Sequence, residues 1–441
     1  MRVADQEVRG ASVLGYGRTG RAVTAALLAR GVRVFVSEGG RLSPGDREEL
    51  EARGVGCEEE GHTARILTQA DLVVPSPGVP SSLPVLVEAR RRGIRTLSEL
   101  DLAYLLLPVP SRIVGVTGTK GKGTTTELIA ALLRRSEVDA VVAGNIGIPA
   151  VSVIDSVRPE CVLVLELSSF QLEQSQFFHP QVAVLTNLSP DHVERHPTWD
   201  AYVAAKGRLF WHLTEEDTAV LPSDLEPLFP GLRARRVYFD RLALPPLAFV
   251  DRLAPHNRAN LKAAIAACSA LFPGFDSSTI QGEEIQGALS LPFRLQEEGT
   301  LGGVRVVNDS KSTNAASTVA ALESFVEPVV LVLGGRHKSS GYERLARAVA
   351  TRAVRRAILY GEAAAFLRGV LAQEGYTQAQ IFRDLGEAVG AAVDAGLPGD
   401  VLLFSPACSS FDQFANAHER GEAFSQLVRA YPSFRAARVR A

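Results

Sequence analysis

The residue types and spacing best suited to chemistry are those of one stretch, Gly118-Thr119-Lys120-Gly121-Lys122-Gly123-Thr124-Thr125. It follows an apolar segment at 112–117 and precedes a segment rich in Ala and Leu, which predicts a strand, a turn and a helix. Glycines let backbone N–H groups close around an anion, and the start of the helix adds positive partial charge. Lys122 can reach the outer phosphates, so the stretch predicts a phosphate-binding loop for Mg–ATP.

The loop departs from the usual pattern at the position after Lys122. A Ser or Thr hydroxyl there normally ligates Mg2+, but this chain has Gly123. The metal-binding hydroxyl is therefore expected from either Thr124 or Thr125. The plain alternative is a glycine-rich turn that binds no ligand.

Polar side chains follow two further predicted strands of the same region. Glu166 comes directly after an apolar strand at 161–165, and His192 follows a strand at 182–185. Because the carboxyl ends of parallel strands share one edge of a sheet, we expect both side chains beside the phosphate loop as metal ligands. A surface or capping role is the alternative for His192.

Lysine is rare in this chain, because arginine supplies nearly all of the 47 basic residues. Positions that keep lysine are enriched for roles that need a compact primary amine rather than a planar guanidinium. Lys206 stands alone on a predicted helix, whereas Lys311 and Lys338 fall in polar loops. Their scarcity marks these lysines as candidates for function.

Three other features point to ligands at strand or helix ends. Asn257 and Asn260 open an alanine-rich helix, where their amides could hydrogen-bond a purine edge. An N-cap is the alternative for Asn257. Arg294 lies in a predicted linker, where its charge would face whatever lies between two domains.

Near the N-terminus, a predicted strand runs into Gly15-Tyr16-Gly17-Arg18-Thr19-Gly20, which has the Gly-x-Gly-x-x-Gly spacing of a dinucleotide fingerprint. The acidic residue expected after the second strand is Glu38, next to Ser37. Another strand ends at the same edge in the loop Ser76-Pro77-Gly78. Since the glycines suit any nucleotide phosphate, a nucleotide diphosphate fits this site as well as a dinucleotide does.

The last part of the chain alternates apolar strands with helical segments, which predicts a further α/β unit with a parallel sheet. Its loops are dense in hydroxyls, amides and isolated lysines, which would suit a small carboxylate ligand. Ordinary turns favour Ser, Asn and Asp too. The predicted strands lie at 304–307, 329–333, 357–360 and 401–404, and the polar loops at 308–314, 334–338 and 405–412.

At 441 residues the chain is too long for one core. We expect an α/β protein of three domains: a Rossmann-like domain (1–109), a central P-loop ATPase-like parallel-sheet domain (110–290) and a C-terminal Rossmann-like domain (291–441). A formal net charge of −2 gives no reason to expect a nucleic-acid partner. Without an apolar run of about 18 residues or a signal-peptide pattern, we expect no membrane partner and a cytoplasmic location. The four cysteines lack metal or disulfide spacing and are expected to be reduced and mostly buried.

Taken together, these motifs resemble those of the Mur ligases, which build peptidoglycan precursors, and the resemblance spans essentially the whole chain. In that family ATP phosphorylates a carboxylate, and the nitrogen of an amino acid attacks the acyl phosphate. The most specific motifs are Gly144-Asn145-Ile146-Gly147, Glu166-Leu167-Ser168-Ser169-Phe170-Gln171-Leu172-Glu173, Asn308-Asp309-Ser310-Lys311-Ser312-Thr313-Asn314, and Ser405-Pro406-Ala407-Cys408 with Asp412-Gln413-Phe414.

The resemblance implies a monomeric ligase that joins D-glutamate to UDP-N-acetylmuramoyl-L-alanine, using ATP and two Mg2+ ions. It implies that Lys206 is carbamylated and so becomes a carboxylate-like metal ligand, a conversion that arginine does not readily offer. The implied catalytic residues are Lys122, Glu166, His192, Lys206 and Arg294, and the implied metal ligands are Thr124, Glu166, His192 and Lys206.

The resemblance also implies three binding sites. The ATP site comprises Gly118, Thr119, Lys120, Gly121, Lys122, Gly123, Thr124, Thr125, Asn257, Asn260, Arg294 and Asp309. The UDP-substrate site comprises Gly15, Tyr16, Gly17, Arg18, Thr19, Ser37, Glu38, Ser76, Pro77, Gly78, Asn145 and Ser168. The glutamate site comprises Lys311, Thr313, Lys338, Ser410 and Phe411.

Some positions depart from the family pattern. Phe293 replaces a frequent histidine, and Ala417 stands where an aromatic residue often lines the glutamate site. The phosphate loop, with its additional Gly123, is locally closer to that of folylpolyglutamate synthases, so a ligase of that type is an alternative. A nucleotide-dependent binding or switch protein is a non-enzymatic alternative.

Overall fold

The chain forms two compact units, one made of Met1–His192 with His196–Leu289 and the other of Val193–Arg195 with Ser290–Ala441. The computed structural model describes residues 1–108, 111–145, 148–193, 195–247, 249–289, 292–337 and 342–437. The predicted domain boundaries at 109 and 290 stay predictions.

The first part of the first unit is built on a five-stranded parallel sheet. Its elements are β1 (Arg2–Val3), β2 (Gln6–Glu7), β3 (Gly10–Leu14), α1 (Arg18–Ala29), β4 (Arg33–Ser37), α2 (Pro44–Ala52), β5 (Gly56–Glu58), β6 (Leu72–Pro75), α3 (Pro84–Arg91), β7 (Arg95–Thr96) and α4 (Glu99–Leu106). The strand order is β5-β4-β3-β6-β7, so the chain proceeds outward in opposite directions from β3. Ligands bind at such a switch point, outside the carboxyl ends of the strands.

The second part of the first unit is built on a six-stranded parallel sheet. Its elements are β8 (Arg112–Thr117), α5 (Lys122–Arg135), β9 (Ala140–Gly144), β10 (Val162–Glu166), α6 (Ser169–Glu173), β11 (Val182–Leu185), α7 (Trp199–Gly207), β12 (Thr218–Leu221), β13 (Arg235–Tyr238), α8 (Pro255–Leu271) and α9 (Gly282–Leu289). The order is β13-β12-β11-β8-β10-β9, which places β8 between β10 and β11. The loops that leave these three strands therefore meet at one edge.

The second unit contains a seven-stranded sheet. Its elements are β14 (Gln296–Leu301), β15 (Val304–Asn308), α10 (Ala315–Leu322), β16 (Val329–Gly334), α11 (Tyr342–Thr351), β17 (Val354–Tyr360), α12 (Ala364–Gln373), β18 (Ala379–Phe382), α13 (Leu385–Ala395), β19 (Val401–Ala407), α14 (Ala417–Arg429) and β20 (Phe434–Ala436). The strand order is β18-β17-β16-β19-β15-β14-β20. Within this sheet the described pairings are parallel, except that β14 pairs antiparallel with β15 and with β20. The polar loops after β15, β16 and β19 therefore leave from adjacent strands.

Buried carboxylates of α4 fasten the first sheet to the second. Asp101 is fully buried and accepts hydrogen bonds from the Ser175 hydroxyl at 2.8 Å and from the backbone N–H groups of residues 176–178 at 2.8 to 3.1 Å. Glu99 accepts a hydrogen bond from the Val151 N–H at 2.8 Å. These four donors to the Asp101 carboxylate all lie in the central part of the unit, so this carboxylate is a structural link between the two sheets.

The predicted α/β class with parallel sheets is confirmed. The prediction of reduced, mostly buried cysteines is also confirmed, since all four are free and three are buried. Asn257 is not an N-cap, because α8 begins after Ala254 and already has Pro255 in its first turn. Across the described ranges, no helix has both the length and the apolar character needed to cross a membrane.

We expect Asp101→Asn to lower the free energy of unfolding of the first unit by about 2 to 4 kcal/mol, because the amide group would face hydrogen-bond donors in a buried site. The matched control is Asp155→Asn, which removes the exposed partner of Arg30. That surface ion pair should be worth less than about 1 kcal/mol. Urea denaturation of the full chain measures both, and equal losses would refute the role given to Asp101.

Candidate functional site

Two glycines of the phosphate loop allow neighbouring side chains to approach its backbone. Gly118 (φ 149°) and Gly121 (φ 78°) both have positive φ. A Cβ on Gly118 would lie 2.0 Å from Thr186 Oγ1, and one on Gly121 would lie 2.3 Å from Asn260 Oδ1. Both positions therefore require glycine, and Asn260 packs directly against the loop.

The end of β11 holds the loop in place. The Asn187 amide accepts a hydrogen bond from the Lys120 N–H and donates one to the Lys120 carbonyl, both at 2.9 Å. The Thr186 hydroxyl donates to the same carbonyl at 2.6 Å. Neither residue was in the predicted site, although asparagine is scarce in this chain and Asn187 follows a predicted strand.

Two lysine amines meet at one carbonyl oxygen. Lys122 Nζ donates to the Gly118 oxygen at 3.1 Å, and Lys206 Nζ donates to it at 2.8 Å. Lys206 is only 2% exposed and also lies over the Tyr202 ring. Burial, followed by the nearby charge of Lys122, lowers the pKa of Lys206 well below its ordinary value. A neutral amine is the form that reacts with CO2, so the environment fits a carbamate.

The other predicted metal ligands lie at the same edge. Glu166 is buried at the end of β10, and its Oε1 accepts a hydrogen bond from Asn145 Nδ2 at 2.9 Å. His192 has a left-handed backbone (φ 55°), which costs energy in a residue other than glycine. Its ring contacts Phe170 edge to face, with centroids 4.9 Å apart.

The two candidate threonines of α5 differ in accessibility. Among the described residues, Thr125 Oγ1 is sealed from solvent and has no hydrogen-bond partner, whereas Thr124 keeps 6% exposure. A hydroxyl without access cannot reach a metal, so Thr125 is the weaker candidate and Thr124 stays the predicted metal ligand. Within the described residues, no group of three or more His, Cys, Asp or Glu side chains could hold a metal ion. A Mg2+ site here would therefore combine Glu166 and His192 with a threonine hydroxyl, a lysine carbamate and phosphate oxygens.

A cavity of about 360 Å3 opens at the switch point of the first sheet. Its walls come from the loops after β3, β6 and β9 and from α6, so both sheets of the first unit contribute. Asn145 lines it and also hydrogen-bonds Glu166. The lining residues are Gly15, Gly17, Arg18, Thr19, Ser76, Pro77, Gly78, Val79, Gly144, Asn145 and Gln171.

Four predicted UDP-site residues do not line this cavity, namely Tyr16, Ser37, Glu38 and Ser168. Ser168 forms a capping box with Gln171 at the start of α6. Ser37 is fully buried, and Glu38 accepts hydrogen bonds from the Tyr16 and Gly40 N–H groups at 2.6 and 3.1 Å. Gln171 was not predicted individually, although it lies in a motif that carried the resemblance.

In the second unit, predicted residues cluster at the start of β14 and the loop after β15. Asp309 Oδ1 accepts a hydrogen bond from the Leu295 N–H, next to Arg294, and Lys311 N–H donates to the Phe293 carbonyl. Burial raises the pKa of Asp309 to about 6. The remaining predicted residues are Thr313, in the same loop, Ser410 (buried) and Phe411 (65% exposed), after β19, and Lys338, which lies outside the described residues.

Sequence reasoning missed Arg420, a fully buried residue of α14. Its guanidinium donates to the Ser310 hydroxyl at 3.2 Å and to the carbonyls of Ser310 and Cys408 at 2.9 and 3.0 Å. In the described part of the chain, no carboxylate lies within ion-pair distance of it. Arg420 therefore ties the loops after β15 and β19 together and leaves net positive charge behind them.

Comparison with known proteins gives consistent matches along the chain. Residues 9–98 match "Mur ligase MurD-like, N-terminal domain", 116–234 match "Mur ligase middle domain", and 293–408 match "Mur ligase, glutamate ligase domain". The chain is 36% identical to the UDP-N-acetylmuramoylalanine–D-glutamate ligase of Pelotomaculum thermopropionicum, covering 94% of this chain and 96% of that protein.

Solved structures show the same fold. The UDP-N-acetylmuramate–alanine ligase MurC of Thermotoga maritima aligns with a TM-score of 0.57 and 19% identity, covering 95% of this chain and 98% of that one. The MurF ligase of Thermotoga maritima, solved in complex with ADP, aligns with a TM-score of 0.56 and 17% identity, covering 96% and 95%.

We expect Thr124→Val to raise the Mg2+ concentration needed for half-maximal turnover by about 10-fold, because an accessible metal ligand is lost. The matched control is Thr125→Val, which removes the sealed, unpaired hydroxyl. It should leave the Mg2+ requirement unchanged and stabilise the chain by up to about 1 kcal/mol. Mg2+ titrations of turnover decide the matter, and superimposable curves for the two variants would contradict the assignment.

Proposed function

Since the chain belongs to the Mur ligase family, we propose that it joins D-glutamate to the L-alanine carboxylate of UDP-N-acetylmuramoyl-L-alanine with consumption of ATP. The observation that carries the proposal is the position of Asn145. It lines the cavity at the N-terminal switch point and hydrogen-bonds Glu166, which stands beside the phosphate loop. A carboxylate held in that cavity would therefore lie close to the phosphates of bound ATP.

The proposed reaction has two steps. A carboxylate oxygen of the acceptor attacks the γ-phosphorus, the bond to ADP breaks, and an acyl phosphate forms. The glutamate nitrogen then attacks the acyl carbon, loses a proton and expels phosphate, which leaves an amide. Phosphoryl transfer depends mainly on positioning and charge neutralisation. Lys122 and the start of α5 supply positive charge for this purpose.

Magnesium fits the donors at this edge, and we propose two ions. They would neutralise phosphate charge and orient the reacting oxygens. Thr124 and Glu166 would hold one, while His192 and carbamylated Lys206 would hold the other. Asn145 orients the Glu166 carboxylate by its hydrogen bond to Oε1.

We assign glutamate to the second unit, where the residues implied for it are Lys311, Thr313, Lys338, Ser410 and Phe411. The buried charge of Arg420 supports this assignment, because positive potential behind the loops would favour a dicarboxylate. Arg294 and Asp309 stay proposed ATP-binding residues. We further propose that the enzyme acts in the cytoplasm, as a monomer, without a nucleic-acid or membrane partner.

The alternatives differ in what they require of the N-terminal region. A folylpolyglutamate-synthase-like ligase agrees with Gly123 in the phosphate loop, but residues 9–98 match a MurD-like N-terminal domain. A nucleotide-dependent switch protein would need no acceptor site and no amino-acid site. The cavity at Asn145 and the MurD-like match therefore favour the Mur ligase reaction.

ATP turnover should require UDP-N-acetylmuramoyl-L-alanine, D-glutamate and Mg2+ together, because the phosphoryl acceptor is the substrate carboxylate. Phosphate release is measured with each component withheld in turn, and the amide product is identified by mass. L-Glutamate and D-aspartate are the matched controls for the amino acid. Rapid ATP hydrolysis without the UDP substrate would favour the switch protein instead.

We expect Lys206→Arg to lose about 10- to 100-fold in turnover, and Lys206→Ala at least as much, because neither can form a carbamate. Lys262→Arg is the control, since Lys262 is bound to the Asp240 carbonyl on the surface of α8. With 13C-bicarbonate, wild-type chain should show a carbamate signal that Lys206→Arg lacks. Because burial lowers the pKa of Lys206, a larger fraction of this amine is neutral than in an exposed lysine, and acidification should protonate it and remove the signal. Wild-type turnover in Lys206→Arg would disprove the carbamate.

A further inference from the structure

A histidine, a serine and a glutamate form a hydrogen-bond chain at the ends of β4 and β5. The Ser37 hydroxyl lies 2.7 Å from Glu58 Oε1 and 2.7 Å from His62 Nδ1. Ser37 is fully buried, whereas His62 is half-buried. The Thr63 N–H and hydroxyl both donate to the Glu58 carboxylate, at 2.9 and 2.6 Å. None of these side chains has a role in the proposed chemical steps, although Ser37 belongs to the implied UDP-substrate site.

The direction of the hydrogen bonds follows from the chemistry of the three groups. Burial raises the pKa of Glu58, but hydrogen bonds from Thr63 and Ser37 outweigh it and the pKa lies below its ordinary value. An ionised carboxylate only accepts, so the single Ser37 proton points to Glu58. Ser37 Oγ must then accept from His62 Nδ1. Neutral His62 therefore carries its proton on Nδ1 and presents Nε2 as an acceptor.

His62 Nε2 lies next to Gly39, two residues after the end of β4. A Cβ added to Gly39 would lie 3.3 Å from Nε2, so the glycine places no side chain against this nitrogen. The Ser37 carbonyl accepts a hydrogen bond from Gly15 N–H at 2.8 Å, which connects the cluster to the wall of the cavity. In nucleotide-binding sheets with the diphosphate at the first glycine loop, the ribose reaches the end of the next strand, here β4.

The residue that usually binds the ribose is occupied in this chain. Glu38 stands at the expected position, but its two oxygens already accept backbone N–H groups from Tyr16 and Gly40. Among the described residues, no hydrogen bond engages His62 Nε2. His62 Nε2 is therefore an acceptor whose tautomer is fixed, whereas the Glu38 carboxylate is already engaged by backbone N–H groups.

We propose that His62 is a specificity-determining residue, whose Nε2 accepts a hydrogen bond from a ribose hydroxyl of the uridine diphosphate moiety. Glu58 and Ser37 are positioning residues, since they hold the proton on Nδ1 and fix the ring. The inference rests on the proposed UDP-linked substrate and identifies His62 as the side chain that recognises its ribose.

Two substitutions separate binding from structure. An asparagine amide falls near Nδ1, so His62→Asn can still donate to Ser37 but lacks an acceptor at the Nε2 position. A glutamine amide reaches the Nε2 position, so His62→Gln keeps an acceptor and loses the Ser37 bond. Calorimetry with UDP should show a Kd about 10-fold higher for His62→Asn and within about 2-fold of wild type for His62→Gln. ATP binding should be unchanged in both, and thermal unfolding reports their folding.

Deoxy analogues test the partner group. Wild type should bind 2′-deoxy-UDP or 3′-deoxy-UDP about 10-fold more weakly than UDP, and His62→Asn should not distinguish that analogue from UDP. Equal wild-type affinity for UDP and both analogues overturns the ribose contact without any variant. Wild-type affinity for UDP in His62→Asn also overturns it. Because UDP binding is measured apart from ligation, a chain that binds UDP but forms no amide would refute the proposed reaction and not this contact.

Discussion

The Gly118 carbonyl oxygen, which accepts hydrogen bonds from two lysine amines, sets the electrostatics of the nucleotide site. Two ammonium groups on one oxygen repel each other, and only Lys206 is also deprived of water. The resulting asymmetry keeps Lys122 as a cation for phosphate and drives Lys206 towards a neutral, reactive amine. The difference in burial thereby gives two identical side chains opposite chemical roles.

That arrangement depends on backbone positions that tolerate no side chain. Gly118 must accommodate the Thr186 hydroxyl, and Gly121 must accommodate the Asn260 amide. Both contacts come from elements distant in sequence, β11 and α8. Side chains from these elements therefore shape the phosphate loop as much as its own glycines do.

Sequence could predict the features that are local. Apolar runs ending in glycine or polar residues located β8, β10 and β11, and the scarcity of lysine pointed to Lys206 before its burial was known. Tertiary contacts were beyond such reasoning. Asn187 could have been an ordinary turn residue, and Arg420 stands in a helix whose charged neighbours predict a solvated face. Only the fold reveals that the Arg420 guanidinium is enclosed, and that the Ser37 hydroxyl serves an internal hydrogen-bond chain.

The last strand of the second unit has a consequence for how the chain tolerates change. β20 pairs with β14, whose other edge is held by β15, so this short segment covers the final row of backbone donors and acceptors. Losing it would expose β14 as a free edge, which is a template for pairing with another chain. Gly299 fits closely against the backbone of β20, and a Cβ there would lie 2.2 Å from the Arg435 carbonyl. A larger residue at that position would separate β20 from β14 and expose the same edge. A substitution far from any ligand-binding loop can therefore cause self-association.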